Sequence, residues 1–143
     1  MSIIKHDFEK MNITKIKQTK NRQKLTVITA YDALFSNLFS KSADMILVGD
    51  SLNMSFMGQS DTLSATLDQM IYHTKAVCNG AKDAFVIADM PFATYINKDE
   101  ALKNCARVYQ ETLASAVKIE GGEDRADIIK HLTSNAIAVM GHI

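Results

Sequence analysis

The side chains able to do chemistry stand at the ends of apolar runs. Asp50 closes MILVGD and is followed at once by Ser51. Asp89 lies near the end of AFVIADM, Lys118 and Glu120 sit two apart in SAVKIEG, and His142 falls near the end of AIAVMGHI. Three carboxylates brought together without neutralisation repel one another and raise each other's pKa, so such a group commonly holds a cation. The donors are hard oxygens, and no His or Cys stands at a zinc spacing, which favours Mg²⁺ over Zn²⁺. Mg²⁺ keeps open positions for a substrate's own oxygens and acts as a Lewis acid on a carbonyl.

Lys118 and Glu120 point to the same face of their strand, because side chains alternate with period two. A lysine there could pair with a substrate carboxylate, and the Ser51 hydroxyl could donate a hydrogen bond to the same group. Each residue also has a plainer role available. A lone acid after a strand is commonly a helix cap or turn residue, Lys118 could form a structural salt bridge with one of the acids, and His142 is a weak candidate near a chain end. His73, in MIYHTKAV, reads as a helix residue satisfied by a neighbour. The two glycines of EGGED are followed by acids and make a poor anion nest.

For these residues to converge, the runs that carry them must be parallel strands whose C-terminal ends share one side. Five apolar runs rich in β-branched residues fit that role: residues 25–30, 45–50, 84–90, 115–121 and 136–143. They are nearly continuous and not alternating, as expected for strands buried on both faces. Helical spacing fills the gaps at 31–42, 66–81, 97–114 and 124–135, the second stopping at Gly80 and the third opening on an Asn cap with acids in its first turn. The stretch after Ser51 runs through Gly58 to the helix at 66 without an element of its own. The basic segment at 12–24 reads as one more short helix with a solvated lysine face.

Alternating strands and helices imply right-handed βαβ units and a parallel sheet. Five strands suit a doubly wound sheet, whereas a (β/α)₈ barrel needs three more units and about 250 residues. The last run, with no helix to cover it, suggests the N-terminal part of a longer protein; a five-stranded open sheet is the alternative.

The 143 residues are 47% hydrophobic, enough for a core, and sixteen basic against sixteen acidic side chains leave no net charge. Nothing in that balance argues for a nucleic-acid or membrane-surface partner. Cys78 and Cys105 lie in helical segments without a CxxC motif and read as reduced, buried thiols of a cytoplasmic protein. The first twenty residues carry charges throughout and lack a leader's apolar region, and no run approaches the ~20 apolar residues of a membrane span.

In order and spacing, VGDSLNMSFMGQSDTLSATLDQMIYHTKAV, IADMPF, SAVKIEGG and VMGHI resemble the N-terminal half of the ketopantoate hydroxymethyltransferase (3-methyl-2-oxobutanoate hydroxymethyltransferase) family. The likeness extends over residues 13–143, with two departures: Asn53 stands where the family has glycine, and Gln59 where it has histidine. The resemblance implies a TIM barrel of the phosphoenolpyruvate/pyruvate superfamily, with residues 1–143 forming about the first five strands of a single domain. It implies a transferase of pantothenate biosynthesis, assembled as a homo-oligomer, a decamer in the family. Asp50 and Asp89 would bind Mg²⁺ directly, with Glu120 doing so directly or through water, and Asp50, Ser51, Asp89 and Lys118 would line the 2-oxo acid site. The chemistry implied is chelation of 3-methyl-2-oxobutanoate by Mg²⁺, removal of its C3 proton, and attack of the enolate on the one-carbon unit of 5,10-methylenetetrahydrofolate. The family's general base lies past Ile143, so residues 1–143 alone are expected not to turn over. The competing expectations are a Mg²⁺-dependent lyase or mutase of the same superfamily and a non-catalytic half-barrel assembly module.

Overall fold

A computed structural model describes residues 10–143. The reading of a charged, leader-free N-terminus falls partly on residues 1–9, outside the described residues. Among the described residues no helix is long and apolar enough to cross a membrane.

Among them the elements run α1 (Ile13–Gln18), β1 (Val27–Thr29), α2 (Ala33–Phe39), β2 (Met45–Val48), α3 (Leu52–Met57), α4 (Leu67–Gly80), β3 (Phe85–Asp89), α5 (Lys98–Glu111), β4 (Ala116–Glu120), a 3₁₀ turn (Glu123–Arg125), α6 (Ala126–Ser134) and β5 (Val139–His142). All strand pairs are parallel, in the order β1-β2-β3-β4-β5. A doubly wound sheet reverses its order at a switch point and sends helices to both faces. Here the order never reverses, so right-handed crossovers place successive connecting helices on one face, as in a barrel wall.

Packing follows from strand alternation. On the helical face Ile46, Val48 and Val86 meet Met70, Val77 and Cys78 of α4. Ala88, Val117 and Ile119 meet Cys105 and Val108 of α5 and Leu132 of α6. The opposite face gathers Met45, Phe85, Ile87 and Ala116, with Ile16 of α1 packed against them. Burial on both sides explains why β3 is buried at all five positions and why residues 85–88 read as a continuous apolar run. Phe85, Val86 and Ile87, buried there, each contribute about 1.5–3 kcal/mol over leaving them in water. Toward the C-terminal ends this second face changes character, because Asp89, Lys118, Glu120 and His142 continue the parity of Ile87, Ala116 and Met140.

The caps are local. Asp32, Thr66 and Asn97 each accept a hydrogen bond from the backbone N–H three residues on, and Thr66 and Gln69 form a reciprocal capping box. α4 ends at Gly80, as its sequence suggests, but for a different reason: the residue after it is not left-handed. A Cβ on Gly80 would run into the Ala33 carbonyl and the Ser36 hydroxyl of α2, so this glycine lets two helices touch. Both cysteines are free and buried, and burial pushes the Cys105 thiol up to about 12.

One element differs from the sequence reading. Residues 52–57 form α3, closed by Gly58 in the left-handed conformation (φ 67°). Buried Asn53 ties the following loop to it, donating to the Asp61 carbonyl and to Ser64 Oγ, each at 2.9 Å.

Candidate active site

Four of the five strands deliver polar groups to the C-terminal rim. Asp89 ends β3, and its register partner on β4 is Lys118. Glu120 ends β4 opposite His142 of β5. Asp50 follows β2 across Gly49, and Ser51 opens α3. The sheet order, not sequence proximity, assembles them.

Lys118 is the hub. Its ammonium donates to Asp89 Oδ2 at 2.7 Å and to Glu120 Oε1 at 2.6 Å. Glu120 Oε1 also lies 2.9 Å from His142 Nδ1. The Asp50 backbone N–H approaches Asp89 Oδ2 at 3.5 Å, a long contact. The structural salt bridge considered for Lys118 is therefore present, and it reaches two acids. Ser51 Oγ pairs with the Tyr31 hydroxyl at 2.8 Å.

The electrostatics are unequal. Burial pushes the Asp89 carboxyl up to about 6, against the lowering effect of Lys118, and the nearby Asp50 charge pushes the same way. A buried carboxylate held by an ammonium would ordinarily be depressed; here the ammonium is shared, and desolvation outweighs it. Burial alone would lower the Lys118 pKa, but hydrogen bonds to Asp89 and Glu120 outweigh that and raise it, so it stays charged. Glu120 is more exposed, and Lys118 and His142 hold its carboxyl below the usual value. One ammonium against Asp50, Asp89 and Glu120 leaves the rim with an excess of negative charge when all are ionised.

Asp89 Oδ1 is buried and has no hydrogen-bond partner, a costly state unless something else satisfies it. Mg²⁺ characteristically takes one or two carboxylates and keeps waters. Asp50 and Asp89 fit that demand, with Oδ1 as an unused donor. Glu120 is joined to Asp89 through the Lys118 ammonium. Among the described residues no three His, Cys, Asp or Glu side chains are disposed as a ready ligand group. The neighbouring rim holds a pocket of about 340 Å³, bounded by Phe92, Tyr95, Ile96, Glu120 and Arg125.

Sequence reasoning missed Tyr31 and Tyr95, both half-buried at the rim. Their signal was position alone: each follows an apolar strand by a few residues. His73, read as satisfied by a neighbour, lies 2.7 Å by its Nδ1 from the Tyr31 carbonyl.

The family model described as ketopantoate hydroxymethyltransferase matches residues 10–143. The 3-methyl-2-oxobutanoate hydroxymethyltransferase of Aliarcobacter butzleri is 81% identical over the whole chain, which covers 53% of that relative. Its namesake from Sulfurimonas denitrificans is 67% identical over 94% of this chain and 51% of its own length. The chain thus spans about half the length of the curated relatives it matches. Among solved structures, 2,3-dimethylmalate lyase, a PEP mutase/isocitrate lyase superfamily member, aligns with a TM-score of 0.63 at 19% identity, covering 90% of this chain and 51% of that one. Oxaloacetate acetylhydrolase gives 0.63 at 16% identity, covering 93% and 53%. At such identities the likeness is one of fold, and it agrees with five consecutive parallel strands as part of a TIM barrel. By its sequence over residues 10–143, the chain belongs to the ketopantoate hydroxymethyltransferase family.

Proposed function

We propose that the whole protein transfers a hydroxymethyl group from 5,10-methylenetetrahydrofolate to 3-methyl-2-oxobutanoate, giving ketopantoate for pantothenate biosynthesis in the cytoplasm, and that this chain supplies the metal and 2-oxo acid side of the site. The observation that carries the reading is the unpartnered, buried Asp89 Oδ1 beside Asp50 at the strand ends. The names of the relatives support it independently.

In this reading Asp50 and Asp89 would hold Mg²⁺, with Glu120 completing the site directly or through water. When bound, the ion supplies Lewis-acid polarisation of the 2-oxo group, which acidifies the C3 hydrogen. The chain's own residues do the rest of the binding. Ser51 donates to the substrate carboxylate. Lys118 holds Asp89 and Glu120 in place and offers its remaining hydrogen to a substrate oxygen. We assign no residue here as the base that removes the C3 proton: Glu120 is committed to Lys118 and His142. The whole protein is proposed to act as a homo-oligomer.

The test is product formation. Metal-stripped whole protein is incubated with both substrates, with and without Mg²⁺, and ketopantoate is measured by mass spectrometry. Product that requires Mg²⁺, and disappears in Asp89→Asn, supports the reading. Absence of ketopantoate under all conditions sinks it.

A further inference from the structure

Ser51 opens α3, yet its hydroxyl caps none of that helix's N–H groups. Serine at this position ordinarily spends its oxygen there. Here Oγ instead lies 2.8 Å from the phenolic oxygen of Tyr31, from the loop after β1. Two other features hold the pairing. The Tyr31 carbonyl lies 2.7 Å from Nδ1 of His73 on α4, and because a carbonyl only accepts, that nitrogen carries the hydrogen. Phe56 of α3 stands edge-on to the Tyr31 ring, centroids 5.3 Å apart, and packs against the His73 ring at the same separation. Residue 49 completes the seat: a Cβ there would sit 2.7 Å from Ser51 Oγ, so the hydroxyl occupies space that only glycine leaves.

We propose that Tyr31, anchored by His73, is a positioning residue that orients the Ser51 hydroxyl to donate its hydrogen to the carboxylate of a bound 2-oxo acid. The inference rests on the function proposed above, which makes that acid the ligand. A hydroxyl has one donor and two acceptor sites. When Tyr31 donates to Oγ, the Ser51 hydrogen is released toward the ligand, and the bond to the anion is strengthened because its donor is itself polarised. Tyr31 reaches the ligand only through Ser51.

A double-mutant cycle separates this role from a merely structural one. Binding of 3-methyl-2-oxobutanoate to the whole protein, saturated with Mg²⁺, is measured by calorimetry for wild type, Tyr31→Phe, Ser51→Ala and the double variant. Tyr31→Phe is expected to weaken binding about tenfold in the wild type and less than about twofold once Ser51 is alanine. In turnover it raises KM more than it lowers kcat. Gly49→Ala, which displaces the hydroxyl without touching Tyr31, is expected to reproduce the Ser51→Ala loss. Equal losses from Tyr31→Phe in both backgrounds, or wild-type binding by Gly49→Ala, overturn the positioning role while leaving the site assignment standing. Wild-type binding by Ser51→Ala overturns the assignment of Ser51 to the site, and the inference with it.

Discussion

Asp89 and Lys118 are partners in the β3–β4 register and also in charge: the ammonium lies 2.7 Å from Asp89 Oδ2, with the two side chains 9% and 3% exposed in the order Lys118, Asp89. Removing one member of so buried a pair leaves the other uncompensated, which typically costs about 3–5 kcal/mol. Lys118→Met is therefore expected to lower the urea midpoint substantially. Combining it with Asp89→Asn should recover part of the loss, because the stranded charge is then gone. Additive losses in the double variant would show that the two side chains act separately.

The raised Asp89 carboxyl predicts an unusual pH dependence. Its folded value of about 6 exceeds the ordinary 3.8. Between those values the folded state binds more protons than the unfolded one, so the contribution of this group to stability falls as pH rises through the window, by ~3 kcal/mol at most. Metal-free protein should lose stability from pH 4 to pH 6 at this site, and Asp89→Asn should flatten that part of the profile. Cation binding requires the ionised carboxylate, so affinity should rise with pH over the same range and level off above it.

Much of this was legible in the sequence, for reasons that particular residues make clear. β3 could be read because burial on both faces makes residues 85–88 uniformly apolar, and the polar interruption at Lys118 and Glu120 marked a rim because period-two alternation puts both on one face. α3 was not legible: its six residues offer under two turns of periodicity, its first turn has no acid, and Ser51 does not cap it. The sequence placed Asp50, Asp89 and Glu120 at strand ends, but which of them Lys118 would join depends on which strands are neighbours. The Tyr31 to Ser51 contact was hidden for the same cause, since it spans two loops brought together by the pairing of β1 with β2.

Gly80 carries a packing prediction. Alanine there must push its Cβ against the Ser36 hydroxyl and against the Ala33 backbone, and the backbone of a neighbouring helix cannot rotate away. Overpacking of this kind costs about 1–3 kcal/mol or more. Thermal unfolding of Gly80→Ala should fall accordingly, although alanine is the better helix former. An unchanged melting temperature would mean that α2 and α4 are less closely packed than described.

Asn53 predicts a difference in loop dynamics. Its amide holds the Asp61 carbonyl and Ser64 Oγ, so Asn53→Gly should release residues 58–64. Faster amide exchange confined to that loop is expected in hydrogen-exchange mass spectrometry. Unaltered protection would mean that the backbone alone fixes the loop.

Everything turns on whether Asp50 and Asp89 take up one divalent cation, and the most direct measurement is Mn²⁺ uptake followed by electron paramagnetic resonance as a stand-in for Mg²⁺. The whole protein should bind one ion per chain in competition with Mg²⁺, and Asp89→Asn, correctly folded by circular dichroism, should lose that binding. Equal uptake by wild type and Asp89→Asn, or no saturable uptake at pH 7, would contradict the site described above.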